Sequence, residues 1–364
     1  MNAAAILKKF ICINESSPSL KNEKLLLNAY ELIKKELIDT NYSIERVRLA
    51  HKIFGYLGDK GLHERIEAMR KYLQSNQPKS PEDQFWANWE LVDNLALLKK
   101  YKMMIEEQRL FLAWAQKNMS LDHLLKVMYD STQAIGWVEE GRSDEWFEIY
   151  YDLMNRVKPT ESNRNARVLY AETATGLLLF NLNKYPEATV EIKRYSDIVH
   201  EDDSWIEYIK FLMRLRSFQL ELYSAQGDWL NYEKTVNEAI LEFINNINRH
   251  NNNNDSVSID DICDMAHEIG TCLMWEKRYK QAMPLFEFAI QNQGTGITHY
   301  FYAICVWATQ KNRKATLENL KLAEMKVKGN GGLRSRYKKM FLEQKEFSDV
   351  WEDDEFLSVF LINH

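Results

Sequence analysis

The feature that most limits what this chain can become is a pattern that returns about every 42 residues. Its clearest copy spans Ala266 to Ile290. Ile269-Gly270 and Leu273 lie on one helix, Lys277-Arg278-Tyr279 makes a turn, and Ala282, Phe286 and Ala289 fall at i, i+4, i+7 on a second helix. The same grammar runs through Gly176, Leu179, Asn183-Lys184-Tyr185, Ala188 and Ile192, and through Leu220, Tyr223, Gly227-Asp228-Trp229, Tyr232, Val236 and Ala239. Weaker copies turn at Lys60, Tyr101, Ser143 and Arg313, the last keeping the stripe with Thr316, Leu320 and Ala323. A hairpin whose apolar face cannot be buried alone must stack on its neighbours, so the spacing predicts an all-α solenoid of about seven helical hairpins.

Composition agrees with helices. Only 13 Gly and 6 Pro punctuate 364 residues, too few for a sandwich or barrel that turns every few residues. A hydrophobic content of 45% and a net charge of -6 are ordinary for a globular protein. Cys12, Cys263, Cys272 and Cys305 lack the CxxC spacing of a zinc site and read as reduced core thiols. The opening Met1-Asn2-Ala3-Ala4-Ala5-Ile6-Leu7 meets Lys8-Lys9 too early for a secretory core, and no apolar run reaches the ~20 residues of a membrane span. The expected location is cytoplasmic, with no membrane partner, no metal and no cofactor.

The chain divides by pattern. Residues 1–45 read as an N-terminal helical cap, with Ser19 or Asn22 as the capping residue and the stripe Leu26, Tyr30, Ile33 and Leu37. Residues 46–342 carry the hairpins, with a polar loop insertion near 248–256 (Asn248-Arg249-His250-Asn251-Asn252-Asn253-Asn254-Asp255-Ser256). Gln77 to Asp83 and Pro159 to Ser162 are linkers between repeats, each placing acids near the positive end of the next helix. Residues 343–364 combine acids with the apolar stripe Phe347, Val350, Trp351, Phe356, Leu357, Phe360 and Leu361, as expected of a helix that closes the end of a repeat array. Exposed instead, that stripe would pair two copies into a homodimer.

Gly270, Tyr279, Ala282, Phe286 and Ala289 carry a small, aromatic and alanine signature, and through it residues 46–325 resemble the tetratricopeptide-repeat family. Most repeats exceed that family's usual length of about 34 residues. Longer repeats of this kind are also seen in the intracellular peptide-receptor regulators of Gram-positive bacteria, an architectural resemblance only. The resemblance implies a right-handed superhelix that binds a protein or peptide in its concave groove, lined by solvent-facing residues of the first helices. Those are Trp86, Trp89, Asp93, Tyr170, Thr173, Asn181, Arg214, Ser217, Glu221, His267 and Thr271. Some members grip a terminal carboxylate with paired Lys and Asn. The corresponding pairs here are Trp89/Asp93, Thr173/Leu177, Ser217/Glu221 and His267/Thr271, which lack that clamp.

Between Lys311 and Lys339 ten Lys/Arg face two acids, and residues 343–355 then carry seven acids against Lys345. The two segments are expected to neutralise each other; unpaired, the first would suit phosphates. No GxSxG, HExxH, phosphate loop or dinucleotide fingerprint occurs, and Gly329-Asn330-Gly331-Gly332 reads as a turn. Arg46/His51 and Arg194/His200 match the Arg–His spacing of HEPN-type ribonucleases, at the frequency expected by chance. The expectation is a non-catalytic protein- or peptide-binding scaffold or regulator. The alternatives are a peptide-responsive intracellular regulator and an RNA-binding or RNA-cleaving helical protein.

Overall fold

The computed structural model describes residues 3–14, 20–127, 131–201, 207–251, 258–292, 294–326 and 331–360; among them every regular element is helical and there is no strand. Two units emerge, Met1–Leu182 and Asn183–His364. The first holds α1 (Ala3–Asn14), α2 (Leu20–Asp39), α3 (Ile44–Phe54), α4 (Gly58–Gln74), α5 (Pro81–Leu97), α6 (Tyr101–Asn118), α7 (Leu121–Val127), α8 (Ser131–Glu139), α9 (Ser143–Arg156) and α10 (Arg164–Gly176), which runs into a π-helical turn over Leu177–Asn181. The second holds α11 (Tyr185–Val199), α12 (Tyr208–Gln226), α13 (Trp229–Asn251), α14 (Ile259–Trp275), α15 (Tyr279–Asn292), α16 (Gly296–Gln310), α17 (Arg313–Lys326), α18 (Gly331–Glu343) and α19 (Asp354–Val359). No helix of the described residues is long and apolar enough to cross a membrane.

Within each unit most consecutive helices pack as antiparallel pairs, and one turn geometry recurs between helices. Tyr101, Ser143, Tyr185, Trp229, Tyr279 and Arg313 are each the first residue of a helix. Two positions before each stands a residue with positive φ: Lys99, Gly141, Asn183, Gly227, Lys277 and Lys311. In four of these turns the left-handed residue and its successor send their N–H groups back to the preceding helix: Lys99 to Ala96 and Lys100 to Leu95, Gly141 to Val138 and Arg142 to Trp137, Gly227 to Ser224 and Asp228 to Tyr223, Lys277 to Met274 and Arg278 to Leu273. These paired bonds occupy carbonyls that a helix end leaves without partners.

The second helices then present the expected stripes inward. Ala282, Phe286 and Ala289 are buried, as are Tyr232, Val236 and Ala239, and Thr316, Leu320 and Ala323. Gly270 makes the closest approach: a Cβ there would stand 2.9 Å from a ring carbon of Phe286, so this glycine is what lets α14 and α15 approach. Gly176, of the same pattern, has nothing within 4 Å and an ordinary helical backbone. Cys263, Cys272 and Cys305 are buried free thiols.

Several elements depart from the sequence-based expectations. The turn placed at Lys60 lies earlier, at Gly55–Leu57, with Lys60 inside α4; Gly61 fits there because a Cβ would collide with the Phe54 carbonyl. Asn22 is within the first turn of α2 and does not cap it, while Ser19 lies outside the described residues. The stripe Leu26, Tyr30, Ile33 and Leu37 is buried as expected. The polar run begins helical, since α13 extends to Asn251 with Arg249 and His250 complementing its C-terminal dipole; residues 252–257 lie outside the described residues. Of the glycine-rich turn, Gly331 and Gly332 already belong to α18, and Gly329 and Asn330 lie outside the described residues.

The C-terminal segment is not one helix. A 3-10 turn (Lys345–Phe347) precedes the short α19, and residues 361–364 lie outside the described set. It is nevertheless packed: Phe347, Val350, Phe356 and Val359 are buried, Phe356 meets Trp307 edge-on at 5.3 Å, and Phe341 stacks on Phe356. Acidic and basic segments do pair, through Lys311–Asp349, Arg313–Asp353 and Arg313–Glu355, each at 2.7 Å. Trp307 adds an Nε1–H bond to Asp349.

Two glycines of the same motif should respond in opposite directions. Gly270→Val should cost about 1–3 kcal/mol through its collision with Phe286, whereas Gly176→Ala should add about 0.5–1 kcal/mol by restricting the unfolded chain. Thermal and urea unfolding of both variants checks this, and shifts of the same sign would contradict the packing described.

Candidate functional site

Two faces, one in each unit, collect the aromatic and charged residues of first helices. In the first unit, Ser80 accepts from the Asp83 N–H and Pro81 starts α5, which sets Asp83, Trp86 and Glu90 along one stripe. That stripe meets Arg48 and His51 of α3. Arg48 bonds Asp83 at 2.8 Å and lies 4.8 Å from the Trp86 ring centre, while the His51 ring meets Trp86 edge-on at 5.7 Å. Arg65 of α4 closes the back of this face, donating to the His51 carbonyl (3.0 Å) and to Asn94 Oδ1 (3.4 Å).

Electrostatics there favour neutral forms. Burial, then Arg65 and Lys52, pull the His51 imidazole down to about 4. Burial and Asp93 push the Glu90 carboxyl above the usual range. The 3.5 Å contact between His51 Nε2 and Glu90 is therefore not an ion pair. Trp86, Trp89 and Asp93 are all half-buried on α5.

In the second unit the face lies between α12 and α14. Arg214, Ser217, Glu221 and Ser224 recur at three- and four-residue steps on α12. Opposite them on α14 and just beyond its end stand Glu268, Cys272 and Glu276. Arg214 reaches Glu268 (3.4 Å), Ser217 Oγ lies 3.7 Å from Cys272 Sγ, Cys272 Sγ lies 4.0 Å from Glu221, and Ser224 donates to Glu276. The partners are 54, 55, 51 and 52 positions apart in turn. So constant an offset means that the two first helices run parallel and in register, as stacked hairpins require.

Acids outnumber bases on this face. Burial, then Glu276 and Glu268, push the Glu221 carboxyl up to about 7. Burial and Glu221 hold the Cys272 thiol protonated, which makes it a poor nucleophile. His267, lowered by burial, gives Nδ1 to a hydrogen bond with Thr298 Oγ1 at 3.2 Å and stacks on Phe301 at 5.7 Å.

Three residues expected to face solvent do not. Tyr170 is fully buried, stacked on Tyr150 at 4.8 Å and tilted against Trp146 at 6.0 Å. Ser217 and Thr271 are also buried, the latter bonding back to the His267 carbonyl, a common outlet for a threonine inside a helix. Thr173 is half-buried and bonds the Leu169 carbonyl, and Asn181 is exposed in the π-turn. Residues that sequence reasoning passed over are Arg48, Arg65, Glu90, Asp264, Glu268, Cys272 and Glu276. A visible signal was available: α14 carries Asp260, Asp261, Asp264 and Glu268 with no Lys or Arg.

The ribonuclease-like pairs are engaged elsewhere. Arg46 bonds Glu36 at 3.2 Å while His51 faces Glu90; Arg194 lies 3.8 Å from Glu191 while His200 meets the Tyr208 hydroxyl at 3.3 Å. Among the described residues no three His, Cys, Asp or Glu side chains gather to hold a metal. No known protein family matches this sequence, and no curated protein does either.

Stability should titrate at both faces with opposite sign. Glu221 is raised from its ordinary 4.5, so the folded state holds a proton that the unfolded chain has released; stability falls as pH rises towards and through about 7. Glu221→Gln should remove that fall and add on the order of 2 kcal/mol at pH 8. His51 is lowered from its ordinary 6.5, so its contribution is present above that value and lost as pH falls through about 4. His51→Gln should flatten the acid limb. Unfolding free energies from pH 3 to 9 check both, and unchanged slopes would contradict the burial assigned to these groups.

Proposed function

We propose that this chain is a non-catalytic recognition protein of the tetratricopeptide-like kind, binding a protein or peptide through the faces of its parallel first helices. The observation that carries this is the in-register seam of α12 and α14. It places Arg214, Glu221, Glu268 and Glu276 in one half-buried strip, where three carboxyl groups meet one guanidinium. Such a strip costs stability unless it is used. Trp86 and Arg48 provide a corresponding aromatic and cationic patch in the first unit, the residue types that anchor interfaces.

The finer architecture belongs to the same proposal. Within each unit the hairpins would continue as a right-handed superhelical stack, and the protein would act in the cytoplasm. A second reading, a peptide-responsive regulator, is favoured by the polar character of the α12–α14 seam. A ligand that neutralised its carboxylates would tighten two neighbouring hairpins and shift the population of packed states. Nucleic-acid binding through the basic stretch ranks lower because two of its ten cations, Lys311 and Arg313, are paired with Asp349, Asp353 and Glu355.

Affinity capture from native lysate with the full chain, nuclease-treated and analysed by mass spectrometry, tests recognition. A specific protein or peptide should survive nuclease and be lost about tenfold or more with Trp86→Ala or Arg214→Ala, the effect of removing an interface anchor. Capture indifferent to both substitutions, or nucleic acid released steeply with salt, would overturn the proposal.

A further inference from the structure

A cavity of about 180 Å³ opens beside the α12–α14 strip, lined by Cys263, Asp264 and His267 of α14 and by Thr295, Ile297 and Thr298 at the start of α16. It has room for about six waters at roughly 30 Å³ each. Its polar atoms are held in place. Thr295 caps α16 by accepting the Thr298 N–H, the two threonine hydroxyls lie 2.9 Å apart, and Thr298 Oγ1 holds His267 Nδ1. With the His267 ring fixed against Phe301, Nε2 is the ring's remaining polar atom.

The charge balance is one-sided. The groups that act on Asp264 are His267, Asp261, Glu268 and Asp260, so a histidine that burial keeps neutral is its one basic neighbour among them. Asp264 and Thr295 are exposed, which leaves the cavity reachable from solvent. Asp264 and Glu268 are one helical turn apart, so the cavity continues the acidic strip.

We propose that this cavity is the side-chain pocket of the recognition face and that it takes the primary ammonium group of a lysine in a bound peptide. This inference rests on the recognition proposed above. An ammonium offers three donors in a compact tetrahedral head, and the residues that line this cavity carry a carboxylate, threonine hydroxyls and an imidazole. Ile297 and Ala289 give the methylene stem an apolar wall. The planar fork of an arginine finds no paired carboxylate along these walls.

The test uses the full chain labelled at histidine, with the His267 ring resonance assigned through His267→Gln and titrated with three probes. Nα-acetyl-lysine amide should shift the resonance saturably. Nα-acetyl-norleucine amide, which keeps the stem without the charge, should not, and glycine amide, which carries an α-amino group without the stem, should bind at least about tenfold more weakly. Asp264→Asn should weaken the lysine probe about tenfold without lowering the unfolding temperature, since burial and the neighbouring acids already disfavour its charge. Equal response to lysine and norleucine, indifference to Asp264→Asn, or no saturable response to lysine would overturn the pocket. Glycine amide binding as well as the lysine probe would overturn the lysine assignment in favour of an amino terminus. If the pocket fails while capture still depends on Trp86 and Arg214, recognition stands without it; if capture fails as well, both are wrong.

Discussion

The left-handed turn between paired helices is the constraint on which the rest depends. A helix leaves its last carbonyls without partners, and reversing the chain within two residues is feasible only if some residue adopts positive φ and returns backbone N–H groups to them. Lys99, Gly141, Asn183, Gly227, Lys277 and Lys311 all adopt positive φ two residues before the next helix begins, and at Lys99, Gly141, Gly227 and Lys277 the paired N–H groups return to the preceding helix. For the lysines and the asparagine the conformation costs on the order of 1 kcal/mol each, a strain offset by the helix packing that it permits. Where the turn is the same, the second helix starts in the same rotational phase and presents the same stripe inward.

From that phase the placement of the first helices follows. In the second unit α12 and α14 run parallel, and the partners across them keep an almost constant separation along the chain. Side chains on facing stripes are thereby brought together row by row. Where the rows are apolar they form the core, as with Leu220, Ile269 and Leu273. Where they are polar they form the strip of Arg214, Glu221, Glu268 and Glu276. Its carboxylates are desolvated by the same packing that aligns them, and this burial, with Glu276 and Glu268 nearby, raises the Glu221 carboxyl to about 7.

Much of this was legible in the residues. The aromatic or polar residue at every turn but Lys60 marked a helix start, and the small residues marked the buried stripe, because period and close approach are both local properties of sequence. The left-handed backbone at Lys99, Lys277 and Lys311 has no local signal, because lysine is found in every conformation and nothing in the residue itself marks positive φ. The site was read less well. Period assigns Tyr170, Ser217 and Thr271 to first helices, but whether such a residue faces solvent or a neighbouring ring depends on packing between helices: Tyr170 disappears into a stack with Tyr150 and Trp146. Conversely, Glu268 and Glu276 became site residues only because α14 lies in register with α12, a relation that no local pattern carries.

Hydroxyl-radical footprinting of the full chain with and without its captured partner would test the central claim that the first helices are the recognition surface. Protection is predicted at Trp86 and Trp89 of α5 or along Arg214 to Ser224 and Asp264 to Trp275 of α12 and α14, with Leu230 and Leu241, exposed on the second helix α13, unchanged. Protection confined to Leu230, Leu241 and other outward positions of second helices would contradict the account.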